Sequence, residues 1–171
     1  MRWLPFTILA VLALVLQTTV AQWVHIYSRD IWPNCMFILA VHYALWGPWP
    51  DAAIAAWILG FAVDLQTISS GGGVGLYAFS FGGSAWIIMR IRHAFVRDHA
   101  LTQVLVTLTF TLLIELLVGA YRQRGAWSRD GAAAVWWPAM GRAVYTSALA
   151  PYLHWPLVKL GRWTGLKPQT R

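Results

Sequence analysis

The chain has 171 residues, of which 58% are hydrophobic and only 11% are charged, and its net charge is +7 at pH 7. A soluble globular domain carries about 25% charged residues, so this composition excludes a soluble enzyme with a membrane tail. The single cysteine, Cys35, excludes an intrachain disulfide and a cysteine metal cluster.

The run of hydrophobic residues predicts an all-α, polytopic membrane protein that forms a single integral membrane domain over residues 1–171. A transmembrane helix needs about 20 mostly apolar residues, so six spans nearly use up the chain. The expected spans are residues 3–24, 32–46, 51–67, 74–89, 101–121 and 143–160. Twelve tryptophans support this interpretation, because indole rings prefer the headgroup layer of a bilayer.

The first and last apolar stretches are the two whose assignment as membrane spans has an alternative. The first has features of a secretory signal, but its unbroken length favours an uncleaved span. The last region carries Arg142 and three prolines, so we expect an interfacial segment around Trp136-Trp137 and then a kinked sixth span. Five spans are the alternative.

The distribution of basic residues predicts the orientation. Six spans place both termini on one side, and cytoplasmic loops are enriched in Lys and Arg. That side would hold Arg2, Arg90, Arg92, Arg97, Lys159, Arg162, Lys167 and Arg171. The other side would hold Arg29, Arg122, Arg124, Arg129 and Arg142. We therefore expect both termini in the cytoplasm, membrane lipid as the partner of the basic residues, and no nucleic acid, since no dense basic stripe is present.

A polar stripe crosses the fifth stretch. Gln103, Thr107, Thr111, Glu115 and Gly119 recur at intervals of four, which places them on one helix face. A charged side chain at the centre of a span costs roughly 2.5–3.5 kcal/mol, so Glu115 should face protein. The stripe is either a proton or ion relay or an interhelical packing face. We favour packing, because no second charge is expected near mid-depth.

A stripe of small residues crosses the third stretch. Ala52, Ala56, Gly60 and Asp64 also recur at intervals of four, and small residues at this spacing let two helix backbones approach closely. Asp64 has two open roles. It either bonds to the Ser69 to Gly73 loop or a neighbouring helix, or it contacts a partner or ligand.

Catalytic signatures are weak, so we predict no enzyme, no cofactor and no metal site. The Gly71-Gly72-Gly73-Val74-Gly75 run lacks the Lys-Ser/Thr of a phosphate-binding loop. Ser80 and Ser84 stand outside a G-x-S-x-G elbow, which argues against a serine protease that uses His42 or His154 as its base.

Residues from Pro33 to Arg92 resemble the bacterial rod shape-determining MreD family. The family pattern has a proline opening the second span, a Tyr-Ala-Leu-like end to it, a Gly-x-x-x-Asp closing the third span, and a Gly, an apolar residue and an Ala opening the fourth. The matching residues here are Pro33, Tyr43-Ala44-Leu45, Gly60 to Asp64, and Gly75-Leu76-Tyr77-Ala78. The ending ALAPYLHWPLVKLGRW is similar to the family's proline-bearing last span.

This resemblance implies a non-enzymatic subunit of the cell-elongation machinery in the bacterial cytoplasmic membrane. It would pair with MreC and, through MreC, with the actin-like MreB and the peptidoglycan polymerase and transpeptidase. The family is also similar in architecture to the substrate-binding subunits of energy-coupling-factor vitamin transporters. A small-solute-binding subunit is therefore the alternative function, and an intramembrane protease is the third.

Overall fold

The computed structural model is helical throughout the residues that it describes, which are 2–19, 31–67, 74–92, 99–122 and 129–166. No strand occurs among them. The helices are α1 (Trp3–Thr19), α2 (Cys35–Trp46), α3 (Asp51–Thr67), α4 (Leu76–Ile91), α5 (Ala100–Arg122), α6 (Arg129–Lys159) and the short α7 (Gly161–Thr164). The expected Ser69 to Gly73 loop and the end of the first stretch, residues 20–24, lie outside the described residues.

Local capping explains where the second helix begins. The Asn34 side chain accepts a hydrogen bond from the backbone N–H of Met36 at 3.0 Å, which satisfies a donor that the helix itself leaves free. α2 therefore starts at Cys35, three residues after the apolar stretch begins at residue 32. At the other end, Gly47 leaves the helix and the two prolines after it separate α2 from α3.

One continuous helix, α6, stands where an interfacial segment and a separate sixth span were expected. It includes Pro138, Pro151 and Pro156, and it contains Trp136-Trp137 and Arg142 as well. A proline removes one backbone hydrogen bond, but a helix packed against its neighbours can continue through it. The interfacial segment expected before residue 143 is therefore not a separate element, because α6 runs through it and packs against α5 and α2.

α2 lies at the centre of the molecule and contacts α1, α3, α4, α5 and α6. α3 pairs with α4, and α5 pairs with α6. Three aromatic rings join the centre to both pairs. Phe37 of α2 lies 4.7 Å from Phe81 of α4 and 6.0 Å from Phe110 of α5, measured between ring centroids.

Two contacts bring several helix ends to one end of the molecule, which we call the basic end. The Arg2 backbone N–H donates to the carbonyl of Thr164 at 3.1 Å, so the start of α1 meets α7. The Arg92 guanidinium, at the end of α4, donates to the carbonyl of Gly47 at 2.6 Å, just after α2. A cation here also offsets the negative end of the α2 dipole.

The surface is apolar and the interior contains polar side chains. Leu4, Phe79, Leu101 and Trp137 are each more than 70% exposed, whereas Asp64 is only 2% exposed. By length and composition alone, α5 is the one described helix able to cross a membrane unaided, and α1, α2 and α4 are apolar but shorter. An exposed apolar surface of this extent marks a protein that faces lipid or other proteins.

Candidate functional site

The small residues of α3 are buried within the protein, and Gly60 among them lies against α4. Ala52, Ala56 and Gly60 are buried. A Cβ atom added at Gly60 would lie 2.6 Å from the Tyr77 carbonyl oxygen and 2.7 Å from the Ala78 Cα. The two backbones approach so closely that only glycine fits at this point.

Asp64 caps the N-terminus of α4 from the neighbouring helix. Its Oδ2 accepts from the backbone N–H groups of Gly75 and Ala78, and its Oδ1 accepts from that of Tyr77, each at 3.0 Å. The residue at the N-cap position is Gly75, with a φ of 99°, and it has no side chain that could cap the helix. Asp64 supplies the missing acceptor, and the positive end of the α4 dipole stabilises its charge.

We call this contact the α3–α4 clasp, and its residues are Gly60, Asp64, Gly75, Tyr77 and Ala78. Gly60 permits the approach of the two helices, and Asp64 holds the start of the second one. Of the two roles open to Asp64 in the sequence, the structure places it in the first, bonded to a neighbouring helix.

The polar stripe of α5 is buried over most of its length. Gln103, Thr107, Thr111 and Glu115 are buried, and Gly119 at its end is half-buried. The Thr107 and Thr111 hydroxyls have no hydrogen-bond partner among the described residues. The face is therefore turned into the protein, where α5 packs against α6, α4 and α2.

Glu115 pairs with Arg142 of α6. The Glu115 Oε2 lies 3.4 Å from an Arg142 guanidinium nitrogen, and the two side chains are 8% and 26% exposed. The expectation that no second charge lies near Glu115 was wrong. Arg142 was assigned to an interfacial segment, but the continuous α6 carries it against α5.

Aromatic rings lie beside Arg142 and beside a second arginine, Arg122. The Arg142 Cζ lies 5.9 Å from the centroid of the Trp32 ring, and the Arg122 Cζ lies 5.9 Å from that of the Tyr77 ring. Ring faces attract guanidinium groups. Since Tyr77 also belongs to the α3–α4 clasp, Arg122 links the end of α5 to that clasp.

Two buried histidines meet between α2 and α6, and sequence reasoning did not pair them. The Nδ1 atoms of His42 and His154 lie 3.2 Å apart, so one ring donates and the other accepts. The His42 ring stacks on Trp46 at 4.9 Å between centroids. Sequence spacing carries no signal for this contact, because it depends on which helices become neighbours.

The described residues offer no catalytic constellation. The two histidines bond to each other rather than to a serine. No group of three or more His, Cys, Asp or Glu side chains with metal-binding geometry occurs in the described part of the chain. The arrangement as a whole holds helices together through a clasp, an ion pair and a histidine pair.

Comparison with protein-family models matches residues 1–139 to the rod shape-determining protein MreD. The chain belongs to the MreD family. MreD proteins are membrane-associated and determine cell shape, and the family is structural rather than known for an enzymatic activity. No curated protein and no solved structure matches the chain.

Every residue of the α3–α4 clasp lies inside the matched region and inside the MreD-like motif noted in the sequence. The motif therefore corresponds to a structural contact between two helices. Arg142 and His154 lie beyond residue 139, so the partners that α6 supplies to Glu115 and His42 fall outside the matched part of this MreD chain.

Proposed function

We propose that this MreD protein is a non-enzymatic membrane subunit of the bacterial cell-elongation machinery, where it scaffolds peptidoglycan synthesis through MreC. The match of residues 1–139 to the MreD family carries the proposal. Through MreC the subunit would act with MreB and with the peptidoglycan polymerase and transpeptidase.

The distribution of side chains supports a multi-pass arrangement with six spans. Polar groups such as Asp64, Glu115 and His42 are buried, and large apolar side chains cover the outside of α1, α3, α4, α5 and α6. The meeting of Arg2 with Thr164 puts the two ends of the described chain at the same end of the molecule. An even number of spans requires this arrangement.

The partner surface is then on the outside of the molecule. The small stripe of α3 and the polar stripe of α5 are occupied by contacts within this chain. We therefore assign Ala52, Ala56, Gly60, Asp64, Thr107, Thr111, Glu115 and Gly119 to helix packing rather than to partner binding. MreC would contact the exposed apolar faces.

A small-solute-binding subunit is the less favoured alternative. Such a subunit needs a polar pocket with several converging side chains. Two grooves among the described residues are lined mainly by Trp, Ile and Phe side chains and by glycines, with two arginines at one end. These linings suit lipid or helix contacts better than a vitamin.

Gene deletion followed by complementation tests the proposal. Rod-shaped cells that lack the gene should become round, and the tagged chain should restore their shape and co-purify with MreC in mild detergent. An unrelated six-span protein with the same tag is the control for the pull-down. Unchanged cell shape together with lost uptake of a vitamin would contradict the scaffold function and favour a transporter subunit.

A further inference from the structure

An open groove runs along the outer face of the α3–α4 pair. It is lined by Ala53, Ile54 and Trp57 of α3 and by Gly82, Gly83 and Trp86 of α4. Its volume is about 340 Å³. A Cβ atom added at Gly83 would meet nothing within 4 Å, so the groove floor there is open.

A second hollow of about 340 Å³ continues this groove toward the basic end of the molecule. Both share the Trp86 ring, and the second hollow adds Trp49, Met89, Arg90 and Arg92 to the lining. The lining of the groove thus changes along its length, from apolar side chains to aromatic and cationic ones.

Arg90 supplies a cationic group at the end of this groove. Its guanidinium is exposed and lies 5.4 Å from the centroid of the Trp86 ring. Among the described residues it has no carboxylate partner. The ring holds the cation at the mouth of the groove while leaving its hydrogen-bond donors available.

The groove also has the length of one bilayer leaflet. From Phe79 to Arg90 the α4 helix rises about 16 Å at 1.5 Å per residue. Half of a hydrocarbon core is about 15 Å thick. An acyl chain lying along Gly82 and Gly83 would therefore place its headgroup at the level of Arg90.

We propose that the α3–α4 groove binds one anionic glycerophospholipid, with an acyl chain against Gly82 and Gly83 and the phosphate at Arg90. Charge complementarity favours this occupant, because a lipid phosphate supplies the anion that the described carboxylates do not supply to Arg90. The site rests on the membrane location that MreD membership gives, and it does not depend on MreC binding.

Native mass spectrometry tests the proposal. The full-length protein is titrated with phosphatidylglycerol in detergent and is then released from the detergent in the spectrometer. One bound phosphatidylglycerol is expected, and phosphatidylcholine with the same acyl chains should bind at least about tenfold more weakly. Arg90→Gln should weaken phosphatidylglycerol binding about tenfold, since a charged hydrogen bond to the phosphate is lost. Equal binding of the two lipids would overturn the assignment.

Two variants separate the groove from general attraction to the membrane surface. Lys159→Gln is the matched control, because Lys159 also lies over an indole ring, at 3.5 Å from the Trp155 centroid, but it does not line the groove. It should leave phosphatidylglycerol binding unchanged. If it weakens binding as much as Arg90→Gln does, the attraction is unspecific and the proposal fails.

Gly83→Leu adds bulk to the apolar part of the groove at a position where an added Cβ atom meets nothing within 4 Å. It should abolish the tightly bound lipid while thermal stability and recovery of MreC stay as in the parent protein. If lipid binding survives and the variant instead loses a co-purifying membrane protein or a second copy of itself, a protein helix occupies the groove. Loss of MreC from this variant with lipid retained would also count against the lipid site.

Discussion

Asp64 stabilises a helix to which it does not belong, so its substitution tests the α3–α4 clasp at a single residue. Asp64→Asn keeps the shape but turns an amide N–H₂ toward backbone N–H groups that now point at a carboxylate. We expect a loss of about 1–3 kcal/mol of stability, because buried donors lose an ionised acceptor. Thermal unfolding in detergent measures it.

Asp51→Asn is the matched control for that experiment. Asp51 lies in the first turn of the same helix, where a carboxylate stabilises the helix dipole by about 0.3–1 kcal/mol. The control should therefore unfold closer to the parent temperature. Equal losses for the two variants would mean that the three bonds of Asp64 contribute no more than the carboxylate in the first turn of α3 does.

The Glu115–Arg142 pair gives a second prediction at this scale. Glu115→Leu leaves a partly buried guanidinium without its partner, and removing one member of a buried pair costs about 3–5 kcal/mol. Because Arg142 is 26% exposed, we expect the low end, about 3 kcal/mol. Glu115→Gln, which retains an acceptor, should be milder.

A double variant separates the ion pair from other roles of Glu115. Glu115→Leu with Arg142→Met should recover most of the lost stability, since neither charge is then unpaired. The readout is again thermal unfolding, with abundance in the membrane as a check. Additive losses would show that the two residues are not coupled. Lost function in a stable Glu115→Gln variant would instead point to proton or ion handling.

Residue spacing along the chain identifies the buried face of a helix but not the partner that this face meets. Intervals of four identified the buried faces of α3 and α5, because helix geometry alone determines which residues share a face. They did not identify Arg142 as the partner of Glu115, or His154 as that of His42. Those pairings depend on which helices pack together, and no local pattern encodes that choice.

The close packing of α3 against α4 depends on the absence of a side chain at Gly60. Gly60→Leu would push atoms into the Tyr77 carbonyl and the Ala78 backbone. Overpacking of this kind costs about 1–3 kcal/mol, and lipid gives little hydrophobic force to restore the contact. We expect lower thermal stability and lower abundance.

Gly83→Leu is the control, since it adds the same side chain to the other helix of the pair at a position with open space. It should leave stability and abundance unchanged. A Gly60→Leu variant that is stable and abundant but fails to co-purify with MreC would contradict internal packing. The small face would then belong to a partner.

Two helices have bounds close to those that the sequence predicts. α3 spans residues 51–67, as the sequence indicated, and α5 differs from the expected 101–121 by one residue at each end. α6 was not predictable in the same way. Its prolines are helix-breaking by local rules, and only the packing of α6 against α5 and α2 explains why the helix continues.

For the whole molecule, the orientation can be tested by labelling. We expect both termini in the cytoplasm, because Arg2, Arg90, Arg92 and Lys159 lie on the side with more basic residues. After Cys35→Ser, a cysteine added after Arg171 should resist an impermeant reagent in intact cells.

The paired labelling variant is Val74→Cys. This position is 63% exposed and lies two residues before α4, away from the basic end. It should react from outside in the same cells. Labelling of the C-terminal cysteine in intact cells would rule out six spans with both termini inside, and five spans would become the simpler arrangement.

The central position of α2 also has a consequence for biogenesis. Residues 36–45 of this 12-residue helix are all buried, and the helix is about 18 Å long, well short of the roughly 30 Å hydrocarbon core. It leaves the ribosome second, yet α5 and α6, which complete its surroundings, are synthesised last. Until those helices are made, α2 lacks the contacts that bury it on their side. A chain that ends after α4 should therefore be less stable in the membrane than the whole chain, because α2 would lack its contacts with α5 and α6.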